Sequence, residues 1–259
     1  MIYYAIPLRA KSTSNNWEDI CLRLDDTLQS IIASGGEYKV FVACHDEPEE
    51  SSRYKNLNIH FLKVSHSVPG NKDNYMADKE SKKNVARRKI LEEARVDDLF
   101  MFLDADDILS SDFYPCVQKV FDINPNADDI AFYTGFIFDV SREKIAFLDG
   151  KEKFFYRNCG SCFVSKIRKF DLNQENEVDT FLCALKNHTL FPEISIKFGR
   201  SVIAFKEPVV CYIVNHGSND ATERVGVSAI ESFVNQFLCK DPENLSLFRK
   251  KFPFIHQKY

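Results

Sequence analysis

Leu99-Phe100-Met101-Phe102-Leu103-Asp104-Ala105-Asp106-Asp107 decides how the rest of the chain is read. Five apolar residues in a row predict a strand buried on both faces of a parallel sheet, where no polar alternation is needed. The acids then lie at the strand's C-terminal end, the edge at which open α/β sheets bind ligands. Asp104 and Asp106 are two apart and share a face on an extended chain, while Asp107 begins the turn. Two carboxylates with no base beside them repel, and a hard divalent cation relieves that repulsion.

Two other readings of this stretch stand beside that one. Asp107 or Ser110 would serve as a cap for a helix starting near Phe113. An Asp-x-Asp after a strand also opens the phosphatases of the haloacid dehalogenase type, with Asp104 as nucleophile and Asp106 as acid and base. Against this, the motif follows the fourth strand, and Ile108 stands where that group has a threonine.

Upstream, a helix is predicted from about Asp78 to Arg95, carrying Lys79, Lys82, Lys83, Arg87, Arg88 and Lys89. A solvated face explains such a run, but positions 79, 83 and 87 share one side at i, i+4 spacing and would present cations to a phosphate. Further back, strands are predicted at residues 2–6, 38–44 and 58–64. Between the first two, Trp17, Ile20, Cys21, Leu24, Leu28, Ile31 and Ile32 recur at helical spacing up to Gly35-Gly36. Strand, helix, strand with short joins predicts parallel βαβ units.

Downstream, 130–140 and 144–148 read as an antiparallel hairpin, which makes the sheet mixed. The small-residue turn Asn158-Cys159-Gly160-Ser161-Cys162 would let a ligand approach backbone. The acidic run Gln174 to Asp179 leads to a helix over 180–186, and the strand at 209–214 opens onto Asn215-His216-Gly217. Residues 221–259 read as a helical extension packed on a domain formed by residues 1–220.

Composition narrows the classes. With 34 basic and 38 acidic residues the net charge is −4, which gives no footprint for a nucleic-acid binder. Twenty-three phenylalanines argue against disorder. No apolar run approaches the roughly 20 residues of a membrane span, so a cytoplasmic location is expected. The segment with Leu247, Phe248, Phe252, Phe254, Lys250 and Lys251 would touch the inner face of the cell membrane or a partner subunit, or, as such stretches more often do, pack on its own domain. Of eight cysteines, only Cys159 and Cys162 form Cys-x-x-Cys, and no second pair completes a zinc site.

Taken together, the strand exit Ile6-Pro7-Leu8-Arg9, the loop after Cys44, the basic helix, the Asp104-Ala105-Asp106 motif and the late His216 resemble nucleotide-sugar glycosyltransferases of the GT-A fold, in the family-2-like bacterial group, over roughly residues 1–220. The resemblance implies a Rossmann-like, mixed but mainly parallel sheet flanked by helices. It implies that Pro7, Leu8 and Arg9, with Asp46 and Asp78, hold the donor nucleoside. Asp104 and Ala105 would sit near the ribose, Asp106 with Asp104 and His216 would ligate Mn²⁺ or Mg²⁺, and Lys83 or Arg87 would face the diphosphate. Gly160 and Ser161 would line the sugar pocket, with Trp17 as a further aromatic candidate. The base for inverting transfer would be Asp179 or Glu177, although Val178 splits the usual acidic pair. The implied acceptor is a glycan or lipid-linked glycan, and a UDP-sugar is the favoured donor. A non-catalytic nucleotide-sugar binder is a third possibility.

Overall fold

A computed structural model describes residues 1–70, 74–172, 180–217, 219–253 and 255. The N-terminal half runs β1 (Ile2–Pro7), α1 (Trp17–Ser34), β2 (Tyr38–Cys44), β3 (Ile59–Lys63), α2 (Tyr75–Glu93) and β4 (Leu99–Phe102). Every residue of β1 and β4 is buried, as continuous apolar runs require. In α1, Ile20, Leu24, Leu28 and Ile31 face the core; Asn16 caps the first turn by accepting from the Asp19 N–H, and Gly35 ends the helix at φ 72°.

The second half contains β5 (Ile108–Leu109), α3 (Phe113–Ile123), β6 (Asp129–Phe132), β7 (Gly135–Asp139), β8 (Lys144–Leu148), β9 (Phe163–Lys166), α4 (Phe181–Ala184), α5 (Phe191–Lys197), β10 (Val202–Phe205), β11 (Val210–Val214), α6 (Asp220–Val225), α7 (Val227–Gln236) and α8 (Pro242–Lys251). Seven strands form the main sheet in the order β10-β6-β9-β4-β1-β2-β3. All neighbours are parallel except β9, which runs antiparallel to both β4 and β6. A second sheet, β5-β11-β7-β8, stands beside it. The architecture is a mixed, mainly parallel α/β fold flanked by helices.

Pairing of β1 with β4 in the register Ile2↔Leu99 brings Pro7 and Asp104 out at the same edge. The Leu8 N–H donates to Ala43 and the Leu103 N–H to Ala5, so both exits are held to their neighbouring strands. Around the second sheet, Phe248 and Phe252 of the C-terminal segment are fully buried against Phe136, Phe138, Cys211 and Ile213. Burying each such ring contributes about 1.5–3 kcal/mol. No helix among the described residues is long and apolar enough to cross a membrane.

Three expectations need correction. Residues 130–140 are not one strand: the chain leaves the main sheet after Phe132 and enters the second sheet at Gly135. A Cβ on Gly135 would lie 2.3 Å from the Phe155 ring, so glycine there leaves room for that ring to pack against the start of β7. The β7–β8 half of the expected hairpin is antiparallel as read. The basic helix begins at Tyr75, and 180–186 makes only the single turn of α4.

Candidate functional site

At the C-terminal edge of β1 and β4 lies a concave cleft whose mouth is open to solvent. The exit of β1 contributes Pro7, Leu8 and Arg9; α1 contributes Ile20 and Arg23; the start of α2 contributes Tyr75, Asp78, Lys79 and Lys82. The motif residues Asp104, Ala105 and Asp106 form its floor, closed by Tyr212, His216 and Asn219 from β11 and the segment after it.

The three acids of the motif have different surroundings. Asp104 Oδ1 lies 2.9 Å from the Lys79 ammonium. Burial works against its charge, but Lys79 and Lys83 outweigh it and hold the carboxyl below the usual range. Asp106 Oδ2 meets His216 Nε2 at 2.9 Å and accepts from the Asn219 amide at 3.4 Å. Asp107 is fully buried and turned away from the cleft lining; it accepts from the hydroxyl of Ser161, the Cys159 thiol and the Ile213 N–H. Burial, then the neighbouring Asp106 and Asp104, push its carboxyl well above the ordinary range. Asp107 thus anchors the turn rather than capping α3, whose first residue is preceded by Asp112.

His216 has 1% of its side chain exposed and stands between two acids, with Nδ1 3.7 Å from Asp19. Burial disfavours its charge, yet Asp106 and Asp19 lift it to about 9. At neutral pH the imidazole is therefore a cation facing Asp106, and it ligates a metal only after losing that proton.

Eight of the site residues implied by the resemblance line this one cleft: Pro7, Leu8, Arg9, Asp78, Asp104, Ala105, Asp106 and His216. Asp46 does not; its carboxylate accepts from the Lys11 N–H at 2.8 Å and fixes the loop after β1. Lys83 and Arg87 also lie elsewhere. Lys83 pairs with Glu80 at 3.0 Å over the Phe102 ring, and Arg87 meets the Cys183 thiol. Each i+4 step carries a side chain about 6 Å along the helix axis. Only the first member of the 79, 83, 87 series, Lys79, therefore reaches the cleft, joined there by Lys82. Gly160 and Ser161 lie behind the motif instead of lining the cleft: the Asp104 N–H donates to Ser161 Oγ at 2.9 Å, and a Cβ on Gly160 would come 2.6 Å from Asp104 Oδ2. Trp17 is partly buried against the core. Glu177 and Asp179 lie outside the described residues.

Sequence reasoning passed over Arg23, Asp19, Tyr212 and Asn219. Arg23 and Asp19 are one helical turn apart and paired at 3.2 Å, a spacing visible in the sequence but indistinguishable there from a surface pair. Asp104 and Asp106 carry the hard oxygen donors that Mg²⁺ or Mn²⁺ favours, each facing a cationic side chain, but with His216 they do not bring three ligand atoms within 4.8 Å of one another. The pair suits an ion whose remaining positions are filled by substrate phosphates and water.

No protein-family model and no curated protein matches the chain at the sequence level. Solved structures do match it. The crystal structure of S. aureus TarS is 15% identical with a TM-score of 0.50, covering 89% of this chain and 39% of that one. The TarS 1-349 structure is 14% identical with a TM-score of 0.49, covering 82% and 60%. The mannosyltransferase PcManGT from Pyrobaculum calidifontis, in complex with GDP-Man and Mn²⁺, is 10% identical with a TM-score of 0.49, covering 83% and 57%. The chain thus spans less than two thirds of each of these chains. At such identity the likeness speaks to the fold, which is GT-A-like.

Proposed function

We propose that this chain is a metal-dependent glycosyltransferase that moves a sugar from a nucleotide-diphosphate sugar, UDP-linked by preference, to a hydroxyl of a glycan or lipid-linked glycan in bacterial surface polysaccharide assembly, with inversion. The observation that carries the reading is the meeting of Asp104, Asp106, Lys79 and His216 in one cleft at the carboxyl edge of a GT-A-like sheet. Residues 1–220 form the catalytic domain in this reading and 221–259 its extension, acting at the cytoplasmic face of the cell membrane.

Asp106 and Asp104 would hold Mn²⁺ or Mg²⁺, which would supply neutralisation of the charge on the leaving diphosphate. The chain's own groups do the rest. Arg9 packs over the Tyr75 ring at 4.9 Å and, with Asp78, borders the nucleoside end. Lys79 leaves Asp104 for a phosphate oxygen, and His216, held as a cation by Asp106 and Asp19, faces the same charge. Asp179, or Glu177, takes the proton of the attacking acceptor hydroxyl.

The test is calorimetric titration of UDP and GDP with Mn²⁺ or with EDTA, on the native chain and on Asp106→Ala. Metal-dependent binding of one nucleotide, lost in the variant, is the expected result. Magnesium-dependent cleavage of a phosphate monoester, lost in Asp104→Asn, would overturn the reading in favour of a phosphatase.

A further inference from the structure

A second cluster lies at one end of the cleft. Parallel pairing of β2 and β3, with Cys44 opposite Lys63, sends both chains out at the same edge. His45 follows the first strand directly, and His66 follows the second by three residues. The first turn of α2 then lowers Asp78 between them. Asp78 Oδ1 is 2.8 Å from His45 Nε2 and 2.8 Å from His66 Nε2, and the two rings meet edge-on with centroids 4.9 Å apart. All three ligand atoms fall within 4.8 Å of one another, and among the described residues no other three such groups converge in this way.

We infer that His45, His66 and Asp78 form a binding site for a borderline divalent cation of the zinc class, separate from the Asp104–Asp106 pair. Two imidazole nitrogens and one carboxylate oxygen suit zinc and its neighbours, whereas magnesium and manganese favour oxygen donors. The carboxylate is held as a ligand needs to be. Its other oxygen, Oδ2, takes the ammonium of the buried Lys82 at 2.6 Å, leaving Oδ1 to the two histidines. In the metal-free protein each Nε2–H donates to Asp78 Oδ1; with an ion bound, each imidazole would carry its proton on Nδ1 and turn the Nε2 lone pair to the metal. Three protein ligands leave a position open, and Asp78 lines the cleft, so the ion is reached from there. The side chain of His66, one third exposed, gives it a second route. Bound there, the ion ties the ends of β2 and β3 to the start of α2. The inference does not depend on the donor reading.

The test strips the full chain with EDTA and titrates Zn²⁺ against a chromophoric chelator and Co²⁺ by visible absorption, in the native chain, His66→Ala, His66→Gln, His45→Ala and Asp106→Asn. One equivalent of Zn²⁺, a Co²⁺ ligand-field spectrum of nitrogen and oxygen donors, and resistance to excess Mg²⁺ are expected in the native chain and in Asp106→Asn alike. Each histidine variant should bind more weakly by more than the roughly 10–100-fold that loss of a ligand's supporting partner costs. The partly exposed His66 makes its variants compatible with folding, checked by circular dichroism. No stoichiometric Zn²⁺ binding, binding unchanged in both His66 variants, or binding lost in Asp106→Asn would overturn the site. Failure of the donor reading shows separately, as absent nucleotide binding with Zn²⁺ binding intact.

Discussion

Replacing Lys79 by Met separates two effects that a generic loss of function would merge. The Lys79 ammonium and Asp104 Oδ1 are 2.9 Å apart, each side chain about one fifth exposed. At an effective dielectric of about 20 the gross attraction is roughly 6 kcal/mol. Competition from water leaves a net of about 1.5–3 kcal/mol for a charge-assisted bond, equivalent to roughly 10–150-fold in an equilibrium constant. In the free protein Lys79 competes with a metal ion for Asp104, so Lys79→Met should bind Mn²⁺ alone up to about that factor more tightly. With the diphosphate present the same ammonium is an attractive partner, so UDP or GDP measured at saturating Mn²⁺ should bind about 10–100-fold more weakly. Free Mn²⁺ followed by electron paramagnetic resonance and nucleotide binding followed by calorimetry give the two constants. Weakening of both, or no change in either, would refute the exchange of Lys79 between carboxylate and phosphate.

Three further outcomes are expected. Gly160→Ala places a methyl 2.6 Å from Asp104 Oδ2 and so displaces that carboxylate. In the proposed reaction, transfer should fall on the order of 100-fold, as for a misplacement of about 1 Å, with little change in the urea midpoint. Phe248→Ala empties the fully buried centre of the second core and should cost about 3–5 kcal/mol by urea denaturation. Burial opposes the charge of Asp139, but Arg142, Asn215 and Ser141 hold its carboxyl below the ordinary 3.8. A depressed folded value contributes stability that is full above 3.8 and is lost as the pH falls through the folded value. Asp139→Asn should therefore be less stable than the native chain at neutral pH, with a shallower loss of stability in acid.

How much of this was legible in the sequence depended on how local the determining contact was. The apolar runs at 2–6, 38–44 and 99–103 announced buried strands because burial on both faces needs no partner to be named. The acidic motif announced its edge for the same reason. By contrast, the change of sheet between Phe132 and Gly135 was marked in a mainly apolar run only by the pair Thr134-Gly135. Helical periodicity put Lys79, Lys83 and Arg87 on one face, but which turn meets the cleft is set by where α2 starts relative to β4. Ser161 read as a pocket residue, yet its hydroxyl serves Asp104 and Asp107 from more than fifty positions away. His45, His66 and Asp78 converge only because β2 and β3 pair in parallel, a fact that their separate loops do not carry.

The place of β9 ties the chain's folding to its chemistry. Because β9 lies between β4 and β6, those two strands cannot pair with each other when they emerge in order. The edge of β4 stays open until Phe163–Lys166 arrives. Such non-local insertion is slow, and an open apolar edge invites association with other chains while it lasts. Ser161 stands two residues before β9, so the pairing that closes the sheet also brings its hydroxyl beneath the acidic motif. The strand that closes the sheet is thus also the one whose approach brings Ser161 to the backbone of Asp104 and the carboxylate of Asp107.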